Sequence, residues 1–403
     1  MGVHILEFPE LEPQAGRPAS GAVATGWSPW LARAALALLA CLLVASALVP
    51  VSKPGNRSPW AGPVEGPISS DPPAPGAAEV PYDEDIALYE AAIGRIAAGE
   101  NYYDFIVAEQ RARDYPVNPG IAVRLPTLAY LDAWLGSAGQ IIAAVALMLG
   151  IVWAWWQRLG DERCSPRIRR LATATVFVGA SLGLNRHYFP LHELWAGGLM
   201  ALSFGLHRIG TNGEGGRWIG AFWAAALALA IREHALPFVL LMAATALWYR
   251  NWREAAAWSA LVAVFAAALT LHLSLVARDV LPGDPHSAPW LVLRGLSGWL
   301  GNVVQSSNLR WLPHFLSGPA VILMTFGWLG LNTRAGLFGC LLSAGYGAAF
   351  MLAGRWDNFY WGAMIAPAMF AGIVFAPRAL AQLAAAARGR DPETGVCSRK
   401  SIA

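Results

Sequence analysis

Three consecutive carboxylates, Asp83, Glu84 and Asp85, open an amphipathic stretch in the first quarter of the chain. A carboxylate held against a hydroxyl can take its proton as the oxygen attacks an electrophilic carbon. Cations and imidazoles gather later, at the ends of apolar blocks: Arg186, His187, His192 and Glu193, then Arg232, Glu233 and His234, then Arg355 and Asp357. The planar fork of arginine binds two phosphate oxygens. The two sets together suit a reaction in which a hydroxyl attacks and a phosphate departs. Each residue also has a plainer use. Acids in a first turn favour the helix dipole, arginines at helix ends reach toward headgroups, and Arg232 and Glu233 can close into an internal ion pair. The tyrosines and tryptophans of WDNFY (356–360) suit an interfacial belt as well as a sugar platform. A divalent-metal set of His192, Glu193 and Asp85 stays open, although no spacing singles it out.

The elements that must position these residues are helices in a bilayer. Of 403 residues, 56% are hydrophobic and 14% charged, against roughly 25% charged for soluble domains. The apolar blocks run 30–49, 140–156, 171–184, 191–206, 218–231, 235–249, 255–277, 312–331, 335–353 and 359–376. They leave no stretch for a separate globular body, so the chain reads as one membrane domain, 1–403. The expected fold is all-α: a polytopic integral membrane protein with about ten transmembrane helices. Several blocks are shorter than the roughly 20 residues a crossing needs. Backbone groups cannot go unpaired in hydrocarbon, so the helices must continue into polar flanks such as Arg186-His187 and Arg232-Glu233-His234.

Basic residues orient the bundle with both termini in the cytoplasm, as tails 1–29 and 378–403. Glu7, Glu10 and Glu12 occupy the place of a basic leader region, so the first block reads as an uncleaved helix. Net charge is +3, too small to suggest nucleic acid. The four cysteines fall in apolar blocks or cytoplasmic segments, and no outer disulfide is expected. The long loop 50–139 lies outside. Its first half is a Pro/Gly-rich tether; then Ile86, Tyr89, Ile93 and Ile96 recur at helical spacing, with Gly99 as the stop. A polar stretch containing Tyr103 follows. Arg124 and Asp132 in the next apolar segment argue for a surface-lying or partly inserted helix, with an eleventh span as the alternative. A second outer loop, 278–310, carries RDVLPGDPHSAPW and what reads as another interfacial helix.

The stretch YDEDIALYEAAIGRIAAGENYYDF, following a first span, resembles the first outer loop of the GT-C superfamily of membrane glycosyltransferases. That likeness covers the first loop and, loosely, the multi-span layout. It implies transfer of a sugar from a polyprenyl-phosphate donor to a hydroxyl acceptor on a lipid, glycan or protein, usually with inversion, at the outer face of a bacterial inner membrane. Under it the base is Asp85 or Asp83, with Glu84 beside them. Arg186, His187, Arg232, His234 and Arg355 become donor-phosphate ligands, and Tyr89, Tyr103, Arg124, His192, Glu193, Asp357 and Tyr360 become substrate contacts. The chain stops soon after Arg378, where many family members continue, which leaves the acceptor class open.

Two rivals stand beside this reading. Another outer-face envelope enzyme, a glycan ligase, polymerase or acyltransferase, would more naturally carry its Arg/His-rich loop late in the chain. A transporter or assembly protein would place charged or broken segments near mid-membrane, whereas these spans are apolar through their centres.

Overall fold

A computed structural model describes residues 28–51, 84–210 and 216–389, without the side chains of Glu84, Trp356 and Asp357. The chain is helical throughout these residues, with no β-strand among them; one isolated parallel bridge pairs Asn118 with His286. Five helices are long and apolar enough to cross a membrane. The first is α1 (Pro29–Leu48), 20 residues, or about 30 Å at 1.5 Å per residue. The outward faces of these spans carry bare hydrocarbon: Leu38, Ile142, Val264 and Leu271 are all exposed. Water would penalise such a surface and lipid does not.

The amphipathic stretch after the tether forms α2 (Glu84–Ala97) and ends where expected, at Gly99 with φ +94°. The polar segment after it is a helix, not a connector. It forms α3 (Tyr102–Ala112), started by Asn101, whose side chain accepts the Tyr103 N–H at 3.0 Å. The periodicity there is masked in the sequence by polar residues on an outward face. Its buried face, Tyr102, Phe105, Ile106 and Val107, makes a small core with Ala92, Val117 and Val123 that leans on Val276.

The surface-lying helix and the next span are one continuous element. This is α4 (Thr127–Asp161), bent at Gly136, where φ 61° and ψ 178° leave the helical region. At 35 residues it is far longer than a bilayer requires, and the bend divides it into a short piece, 127–135, and a longer apolar one. The second outer loop also differs from expectation. Its helix, α10 (Gly295–Gln305), is buried from Gly298 to Val304.

The bundle is completed by α5 (Pro166–Ala180), α6 (His192–Leu206), α7 (Ile219–Ile231), α8 (Leu236–Trp248), α9 (Trp252–Val276), α11 (His314–Gly327), α12 (Arg334–Leu352), a four-residue α13 (Ala366–Met369) and α14 (Gly372–Ala387). An aromatic chain runs through its centre, Trp155 to Phe204 (5.1 Å between rings), Phe204 to Phe338 (4.8 Å) and Trp328 to Phe375 (5.5 Å). Polar flanks do continue the short helices, but as tight 3-10 turns: Arg186–Tyr188 before α6 and Glu233–Ala235 between α7 and α8.

The loop after α9 is tied to α3. Arg111 straddles the Asp284 carboxylate, with its second contact at 2.8 Å, and also donates to the Asp279 carbonyl at 2.8 Å. Backbone bonds from Val117 to Pro285 and from Ser287 to Asn118 extend the seam. The Arg111 guanidinium, with the Leu281 N–H, holds the Asp284 carboxyl down at about 2. A depressed carboxyl stabilises the docked loop at every pH above its free value, roughly 3.9, and that contribution fades as pH falls toward about 2. Limited proteolysis of this loop should therefore show protection from neutral pH down to roughly 4 and cleavage in stronger acid. In Asp284→Asn the cleavage should appear at neutral pH.

Candidate functional site

Short helices explain why a charged turn lies inside the bundle. α7 and α8 have 13 residues each, about 20 Å, shorter than the roughly 30 Å of a hydrocarbon core, and the turn joining them is packed among the other helices. Arg232 there is fully buried, an arrangement that demands paired charge. It contacts Glu193, at the start of α6, at 2.7 Å, although the N–H is not aligned for a hydrogen bond, and it donates to the Glu233 carboxylate. Glu233 in turn meets Nδ1 of His234 at 2.9 Å. The His234 ring lies 4.4 Å from that of Trp361, and its carbonyl accepts the Tyr346 hydroxyl at 2.6 Å. His234 is therefore fixed at both ring and backbone, and Glu233 fixes which ring nitrogen faces inward.

A second anchored cation faces this turn. Arg124, on the segment leading into α4, donates to the Tyr89 hydroxyl at 3.0 Å and to the Tyr360 hydroxyl at 3.1 Å. Its carbonyl accepts Tyr102 Oη at 2.8 Å. Burial raises the Tyr89 phenol well above its usual range, so it stays protonated. Tyr360 belongs to the 3-10 segment Trp356–Met364, which glycines allow to sit deep. A Cβ on Gly362 would lie 2.1 Å from the Asn302 carbonyl, and one on Gly197 of α6 would lie 2.2 Å from that of Ala363. Only glycine permits either approach.

These elements enclose a cavity of about 640 Å³. Asp85 and Tyr89 line it from α2, Arg124 from the α4 approach, and Glu233 and His234 from the α7–α8 turn. Ser287 and Trp290 come from the loop after α9, and Asn358, Tyr360 and Trp361 from the last 3-10 segment, which Arg355 immediately precedes. Arg355 donates to Ser287 Oγ at 3.1 Å, and its backbone N–H donates to Asn358 Oδ1 at 3.0 Å. Asp85 is 7% exposed and lines the hollow. The lining thus offers three carboxylates, Asp85, Asp114 and Glu233, three guanidinium groups, Arg113, Arg124 and Arg355, and the His234 imidazole.

The residues singled out in the sequence divide into three groups. Asp85, Tyr89, Arg124, His234, Arg355 and Tyr360 line the cavity. Arg232 and Glu193 lie behind it as the ion pair that carries the turn, and His192 packs edge-on against Tyr89 with 5.1 Å between rings. Arg186 and His187 sit on an exposed turn and do not line the cavity, and Tyr103 faces His272 at 3.1 Å on the opposite side of α3. Asp83 and the side chains of Glu84 and Asp357 lie outside the described residues. Among the described residues no three His, Cys, Asp or Glu side chains gather to hold a metal ion, so His192, Glu193 and Asp85 do not form one. Sequence reasoning missed Trp361, Trp290 and Ser287, while Asn358 lies inside the WDNFY run it singled out. Trp361 directly follows that run, but Trp290 and Ser287 carry no local signal.

The Arg232 clamp yields a sharp expectation. Arg232→Leu strands two buried carboxylates and should cost about 3–5 kcal/mol of stability, read as a lowered thermal transition of the purified chain. Replacing Glu193 by Gln in the same background should recover part of the loss, because one stranded charge is gone. No protein-family model matches this chain, and neither the curated proteins nor the solved structures contain a match to it.

Proposed function

We propose that the chain is a multi-pass membrane glycosyltransferase, moving a sugar from a polyprenyl-phosphate donor to a hydroxyl acceptor at the outer face of a bacterial inner membrane. In this reading the five long helices are joined in the bilayer by shorter apolar ones, giving about ten crossings with both termini inside. One observation carries the proposal: Asp85 opens into the same cavity as Arg124, His234 and Arg355. A carboxylate facing fixed cations across a hollow of about 640 Å³ suits a hydroxyl nucleophile and an anionic leaving group held between them.

The chemistry follows from those positions. The acceptor hydroxyl gives its proton to Asp85 as its oxygen bonds to the anomeric carbon. The bond from that carbon to the phosphate oxygen breaks, and its electron pair stays on the phosphate. Arg355 and Arg124 face the side where that charge grows. Tyr89 and Tyr360 hold Arg124 in place and remain neutral donors toward the sugar. Asp85 is taken as the base in this reading because it lines the cavity, whereas Asp83 lies outside the described residues.

The test is transfer from a panel of labelled polyprenyl-phosphate sugars by the purified chain in lipid. Asp85→Asn should lower kcat by about 10²- to 10⁴-fold with folding intact. Arg355→Gln should mainly raise KM for the donor, by roughly 10- to 100-fold for the loss of one charge-assisted contact. Full activity in Asp85→Asn would remove Asp85 as the base. Absence of turnover with every donor would shift the weight to a ligase, acyltransferase or transporter.

A further inference from the structure

Behind the wall of the main cavity lies a second, much smaller one, of about 20 Å³. That is room for a single water, which needs about 10–15 Å³. Three almost fully buried polar side chains border it: Gln110 of α3 (3% exposed), Asp132 of α4 (1%) and His192 of α6 (4%). Both carboxylate oxygens of Asp132, Oε1 of Gln110 and both ring nitrogens of His192 lack any hydrogen-bond partner. Much of the remaining lining is apolar, including Leu88, Ala92, Ile106 and Leu128.

Orphaned buried polar atoms are rare in folded proteins, and several around one void call for a ligand. Asp132 needs one in either state. As a carboxylate it would be a buried charge with no ion-pair partner. As a neutral acid its O–H would have no acceptor. The titratable and charged groups facing it are Tyr89 from α2, Tyr102 from α3, Arg124 from the approach to α4, and His192 from α6. Arg124 is the one fixed cation among them, and it is engaged with two phenols. An isolated buried carboxyl meets this situation by keeping its proton.

We propose that this cavity is a proton-and-water site: Asp132 is protonated at neutral pH and donates to one enclosed water, which Gln110 and His192 also hold. The ligand class is a hydron with its water, not a metal ion, and the proposal is independent of the transfer reaction. Gln110, Tyr89 and Arg124 line both cavities and so belong to the wall between this site and the larger one.

Infrared difference spectroscopy on the full chain in nanodiscs tests this directly. At pH 7 a carboxylic-acid carbonyl band is expected, lost in Asp132→Asn and shifted on exchange from H₂O to D₂O. Gln110→Leu, which keeps Asp132, should move the band without abolishing it. Absence of an Asp132-dependent acid band at pH 7 would overturn the protonated state. A band insensitive to both D₂O and Gln110→Leu would overturn the shared water. Should Asp132→Asn fail to fold, wild-type chain carrying ¹³C-labelled aspartate and compared with Gln110→Leu gives the same decision.

Discussion

Arg232 is the residue on which the arrangement rests. A guanidinium with no solvent exposure can persist only if opposite charge and hydrogen bonds replace the water it has lost. Glu193 and Glu233 supply the charge from two sides, one at the N-terminal end of α6 and one in the turn after α7, and Glu233 also accepts a hydrogen bond. The clamp therefore joins two helices at the depth where both terminate. It also decides which way Glu233 faces, and through Glu233 the orientation of His234. Relaxing the clamp would release an imidazole, a carboxylate and the start of α8 together.

The opposite side of the cavity follows the same logic with neutral partners. Arg124 is partly buried, and among the described side chains no carboxylate lies at ion-pair distance from it; it is held by the hydroxyls of Tyr89 and Tyr360. Those tyrosines come from the early outer loop and from the segment before α13, so a single cation ties together parts of the chain separated by more than 200 residues. Its positive charge is left only partly neutralised, which suits a site that must receive an anion. Helix α3 and the loop after α9 are joined separately, through the Arg111–Asp284 tie.

Much of the frame was legible in the sequence. Apolar blocks in a charge-poor chain announced helices, and the span of α1 and the stop of α2 at Gly99 lie where residue pattern put them. The rule that backbone cannot go unpaired in lipid gave the continuation of short blocks into charged flanks. Helix α3 was not legible, because a helix sitting on a loop surface mixes polar residues into its pattern. The burial of α10 was not legible either, since an amphipathic segment reads alike whether its apolar face meets lipid or protein.

Residue type and local spacing determined that carboxylates, arginines and imidazoles would cluster at helix ends, and that their neighbours would be membrane helices. Which of them meet was decided by tertiary structure alone. Arg186 and Arg232 have the same standing in the sequence, each followed closely by histidine at the end of an apolar block, yet one is exposed and the other fully buried. The difference is where each helix ends relative to its neighbours, a length set by packing and not by local pattern. In the same way Asp85 and Tyr360 are remote in the chain and share one cavity because glycines let the final 3-10 segment sink against α6 and α10. Short-range physics fixes the kinds of groups available; only contact over hundreds of residues selects the few that face each other.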